Sequence, residues 1–151
     1  MLYPINIKKY KTLFIFILIA NIVLITVPFV LVKMGYVFFP AYKGSKLVSY
    51  SLIGLLIAGT LLLQVKYQRK KLTQIAWMPF FDARIKLYNK LFTIRMYWHL
   101  VSCIVTAIII IVTLDTYFFY YGILDVVMAF MYYPRLALFQ RELREENIVL
   151  V

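Results

Sequence analysis

Between Lys11 and Lys33 the chain runs for 21 residues without a charged side chain, TLFIFILIANIVLITVPFVLV. A helix needs about 20 apolar residues to cross a bilayer, and only there does such a surface have a matching solvent. Three more stretches free of Lys and Arg follow, at residues 47–65, 96–114 and 116–134, each of 19 residues. They predict an all-α integral membrane protein with four transmembrane helices, over about 12–33, 47–66, 96–114 and 116–135, arranged as two antiparallel hairpins. Residues 67–95 are then a connector and 136–151 a C-terminal helix or tail, all within one four-span domain.

Composition excludes the alternatives. Apolar residues make up 64% of the 151 and charged residues 15%. Soluble domains average about 45–50% and about 25%, and a chain this short cannot hide the excess in one core. Disorder requires low hydrophobicity and is excluded too. The first apolar run is longer than the 7–15 residues of a signal-peptide core, so it reads as a retained anchor.

The net charge is +11. Of 17 basic residues, 14 flank the spans on the side shared by the amino end, the connector and the carboxyl end. The other three, Lys33, Lys43 and Lys46, lie between spans one and two. The positive-inside rule puts the larger group, and with it both termini, in the cytoplasm. The bacterial inner membrane is the expected location, with an organellar membrane as the other setting. Because topology requires this charge, nucleic acid is not an expected partner. Anionic lipid at the cytoplasmic face is.

The connector, QRKKLTQIAWMPFFDARIKLYNKLFTIR, is broken at Pro79, with Asp82 as a candidate helix N-cap. Beyond it, Ile85, Tyr88 and Phe92, and Leu87, Leu91, Ile94 and Trp98, recur at helical spacing opposite Lys86, Asn89 and Lys90. Such a segment either lies in the membrane interface, the favoured reading, or extends spans two and three as a cytoplasmic hairpin. In the hairpin the tip, Trp77 to Phe81, must meet lipid or protein. Trp77, Phe80, Phe81, Arg84, Lys86, Lys90, Arg141 and Arg144 are therefore the candidate docking residues for a partner or for lipid. The carboxyl segment RLALFQRELREENIVLV is read as a helix continuing from span four. Its Glu142, Glu145 and Glu146 are placed to pair with the basic connector. The sharper alternative makes it a docking tail with Ile148 to Val151 as an apolar hook.

Chemistry-bearing residues are few. Asp125 stands inside span four, where an ionised carboxylate costs about 2.5–3.5 kcal/mol on insertion scales. Antiparallel packing sets it near the level of Thr106 to Thr113. Asp125, Asn21 and Thr113 are the intramembrane polar or permeation candidates, and Gln64 is a further polar side chain in the spans. His99 and Cys103 share a helix face and form a weak metal candidate, since metal sites want three or four ligands. His99 otherwise snorkels to the interface. Ser51, Gly54 and Ala58 form a small-residue stripe that predicts a close helix contact within or between subunits. Phosphate loops, His-Glu-x-x-His, Cys-x-x-Cys and nucleophile–base pairs are absent from the sequence. The expectation is a non-enzymatic protein without cofactors: a small subunit of a membrane assembly, self-associated or bound to another subunit. An oligomeric ion or proton channel with Asp125 in its path is the alternative. A haem- or quinone-associated anchor using His99 is a fainter one.

Overall fold

The computed structural model describes residues 3–37 and 46–151. Most of the connection from Met34 to Ser45 therefore lies outside the described residues, as does the side chain of Gln64.

The chain is 80% helical. Strand β1 (Tyr3–Ile5) leads into α1 (Ile7–Lys33). Helix α2 (Lys46–Leu61) passes through a π-helical stretch, Leu62–Gln68, into α3 (Arg69–Trp77). Helices α4 (Phe81–Thr113), α5 (Tyr117–Phe130) and α6 (Leu136–Leu143) follow, and strand β2 (Ile148–Leu150) ends the chain. Three helical runs are long and apolar enough to cross a membrane: Ile7–Lys33, Tyr50–Trp77 and Phe81–Thr113. The fourth apolar stretch is carried by α5, whose 14 residues rise about 21 Å, less than the ~30 Å of a hydrocarbon core.

The connector is not a separate interfacial helix. No Gly or Pro interrupts residues 82–113, so α4 continues unbroken through the basic segment for 33 residues. Its length is about 50 Å. The apolar face of that segment is covered by the chain itself rather than by lipid. Tyr88, Leu91, Phe92 and Met96 pack with Ile5, Tyr10, Phe14 and Ile75, and with Phe139, Leu143 and Ile148. Tyr10 is central here: its ring meets Phe92 and Phe139 edge-on at 5.1 and 5.0 Å, and its hydroxyl donates to Asn89. Asp82 is not the cap either. Phe80 holds that place with no side-chain bond, and Asp82 lies in the first turn, where a carboxylate favours the helix dipole.

The carboxyl segment departs from expectation twice. It does not continue α5, which stops at Phe130. Pro134 has no N–H and disfavours helix at Tyr133, and α6 restarts after an extended Arg135. Ile148 to Leu150 are no free hook: they pair in parallel with β1, Tyr3 beside Ile148 and Ile5 beside Leu150. Together β1, the amino end of α1, α3, the first half of α4, α6 and β2 make a compact head. At the opposite end a second apolar cluster joins Leu56, Ile109, Ile110 and Phe118.

Candidate functional site: a buried polar ladder

Helical spacing brings Arg95, His99, Ser102, Cys103 and Thr106 to one side of α4, and all five are buried. Three of them reach other elements: Arg95 reaches α6, and His99 and Cys103 both reach α5. Arg95 Nη1 donates to Glu142 Oε2 of α6 at 2.7 Å, and its guanidinium lies 4.7 Å from the ring centre of Tyr132. The Tyr132 hydroxyl donates to Gln68 Oε1 at 3.3 Å. One turn along α4, His99 Nδ1 is 3.0 Å from Asp125 Oδ1. Cys103 Sγ donates to the other oxygen, Oδ2, at 3.4 Å. Thr106 Oγ1 donates to the carbonyl of Ser102 at 2.8 Å.

His99 therefore does not snorkel. It is buried against Asp125, and the level expected for Asp125, Thr106 to Thr113, is too far along α4. Helix periodicity decides which α4 residues turn towards α5, and at the depth of Asp125 these are His99 and Cys103. Thr113 is engaged locally. It binds the carbonyl of Ile109 at 2.7 Å and receives the backbone N–H of Asp115 at 3.2 Å. Asp115 in turn receives the N–H of Tyr117 at 3.0 Å, so the pair caps the junction of α4 and α5. Leu114 closes α4 there at φ 56°. Asn21 is buried in α1 with neither amide atom partnered, and Ser102 Oγ is likewise unpartnered.

The His–Asp couple is enclosed by helices, and its contact satisfies polar atoms that would otherwise be buried unmade. Asp125 thus accepts from the Cys103 thiol on one oxygen and meets the imidazole on the other. Among the described residues no set of three His, Cys, Asp or Glu side chains is placed to hold a metal ion. A cavity of about 140 Å³ between α2 and α5, lined by Thr60, Tyr121 and Leu124, reaches Asp125 from the side.

The other candidates sort by exposure. Trp77 is 84% and Phe80 74% exposed at the turn between α3 and α4. Lys86, Lys90, Arg141 and Arg144 are exposed as well. Phe81 turns inward and stacks on Tyr3 at 4.2 Å. Arg84 is also engaged: its Nε donates to the Met78 carbonyl at 2.6 Å and its Nη1 lies 3.9 Å from Glu145. Ser51, Gly54 and Ala58 face outward, with nothing within 4 Å of the Gly54 position. The contact of α2 with α4 is made by neighbouring residues. A Cβ at Gly59 would lie 3.5 Å from the Trp98 ring, and Trp98 Nε1 donates to Thr60 at 3.3 Å.

The sequence pairs Glu142 and Glu145 with the basic connector as a whole, and the structure gives them Arg95 and Arg84 as partners; the burial of Arg95 with Glu142 is what spacing does not announce.

If the ladder is structural, Asp125→Leu should destabilise the protein by about 1–3 kcal/mol, because it strands the donors of His99 and Cys103. Asp125→Asn keeps an acceptor and should cost less than half as much. Unfolding in detergent measures both, and a wild-type midpoint for Asp125→Leu would show that the couple holds nothing together.

Comparison with protein-family models, curated proteins and solved structures finds no match for this chain.

Proposed function

We propose that the protein is a non-catalytic four-span subunit of a membrane assembly, and that it docks a protein partner through the tip of its head. The observation that carries this reading is the exposure of Trp77 and Phe80, 84% and 74%, at the far end of a folded head. Counted along α4, the tip lies about 20 Å beyond Arg95. The head-group layer is only about 5–8 Å thick on each side. A tip that far out is beyond the reach of lipid, and two large apolar rings left in water favour a protein surface.

Parity supports four crossings. Three helices are long enough to cross, and the parallel pairing of β1 with β2 keeps both chain ends on one side. An odd number of crossings would separate them, so α5 is the fourth, with residues 131–134 completing the passage. The basic flanks put the head in the cytoplasm. The outward apolar surface of α2, with Ser51, Gly54 and Ala58 on it, suits lipid or a second copy.

A discrete cross-linked adduct is expected from a photo-reactive residue at position 80, and Trp77→Glu should abolish it. With Trp98→Phe as background, brominated lipids should fail to quench Trp77. Quenching of Trp77 would put the tip in the membrane and end the docking reading. The channel reading draws on the side cavity at Asp125. The apolar cluster of Leu56, Ile109, Ile110 and Phe118 closes the bundle beyond the ladder, which favours the subunit reading. Flux into liposomes that disappears in Asp125→Asn would reverse that preference.

A further inference from the structure

Arginines gather on one side of the head where carboxylates run out. A cavity of about 300 Å³ opens between the start of α3, the end of α5 and α6, lined by Arg69, Arg95, Arg135 and Arg141 with Glu142. It adjoins a wider cleft of about 660 Å³ that shares Arg69, Arg141 and Glu142 and adds Arg144. Five arginines thus border one concavity with a single carboxylate. That carboxylate is already taken, by Arg95 at 2.7 Å and by Arg141 at 4.0 Å. Among the described residues Arg69, Arg135 and Arg144 have no acidic partner. Arg95 itself is 1% exposed, and its Nε–H is buried without a hydrogen-bond partner.

Topology accounts for cationic flanks but not for their convergence on one hollow, and a buried donor on a cation is costly when unmade. The planar guanidinium fork matches the oxygens of a phosphate. We infer that this cleft binds a phosphate group, and that the phosphate belongs to the head group of an anionic lipid. Depth selects the lipid over a free anion. Gln68 and Arg69 stand at the junction of the π-helical stretch with α3, and Arg95 where α4 passes from charged to apolar sequence, at the level of the head groups in the four-span reading. Leu72 and Met131 give the cavity an apolar lip, which an acyl chain can use and a free phosphate cannot. Basic pockets between helices on the cytoplasmic side take such head groups.

The test uses the full chain in neutral detergent, titrated with phosphatidylglycerol or phosphatidylcholine and read by native mass spectrometry. Wild type should prefer phosphatidylglycerol by about tenfold or more. Arg69→Gln with Arg135→Gln, both exposed and free of ion pairs, should lower its affinity on the order of fivefold for each arginine removed. Arg141→Gln provides a second variant at the same site. Lys8→Gln with Lys9→Gln removes the same charge elsewhere and should leave binding unchanged. An equal loss from the lysine pair would mean diffuse attraction and overturn the site. Displacement of the lipid by millimolar inorganic phosphate would overturn the assignment to lipid and leave a site for soluble phosphate.

Discussion

Glu142→Leu is expected to be the most destabilising single change in the molecule, at about 3–5 kcal/mol. The residue is buried with Arg95, and the two meet at 2.7 Å. Removing the carboxylate leaves a guanidinium enclosed between α4, α5 and α6 with the Tyr132 ring at 4.7 Å as its remaining support. The double variant Arg95→Met with Glu142→Leu should recover most of the loss, since an apolar pair of similar volume replaces an ion pair whose desolvation cost offsets its attraction. Unfolding midpoints in detergent for the wild type, both single variants and the double variant close a cycle. Additive losses would show that the two side chains do not act as a pair.

Gly122→Val should follow, with a cost of about 1–3 kcal/mol. A Cβ at this position would sit 2.8 Å from Ile25 Cδ1, 2.9 Å from Cγ1 and 3.0 Å from Cγ2. The glycine lets α5 lie directly on α1, as small residues do between membrane helices. Moving α5 outward would also pull Asp125 from His99, three residues along the same helix. Ile25→Ala should restore part of the loss by opening the space into which the new side chain points. A Gly122→Val protein with an unchanged midpoint, or an Ile25→Ala background that rescues nothing, would contradict the contact.

Three of the spans were legible because their signal is local. Twenty apolar residues bounded by Lys and Arg announce themselves, and the three long helices fall where that pattern puts them. The extended α4 was half legible: its helical spacing is written in Ile85 to Trp98, but what covers that face is not. The covering residues, Tyr10 and Phe139, lie at the two ends of the chain. The terminal strands had still less local signal. Tyr3–Ile5 and Ile148–Leu150 are three residues each, one containing a proline, and neither alternates enough to be read. In the ladder, the shared face of His99 and Cys103 follows from spacing alone. Their meeting with Asp125 depends on the rotation and depth of α5, which the short cap at Thr113 and Asp115 sets. Gly122 carried no signal, because a glycine in an apolar run does not say which neighbour needs the space.

The strand pair also orders events in time. Tyr3 is made first and Ile148 is 145 positions behind it, so β1 has no edge to join until almost everything between has been synthesised and threaded. Contacts so distant in sequence form late. Strand β1 therefore waits, unpaired, while α1 to α5 find their places. Until the pair closes, Ile5 and Ile148 cannot bury against the core that holds Tyr10 and Phe139, so the head is completed by its most distant partners.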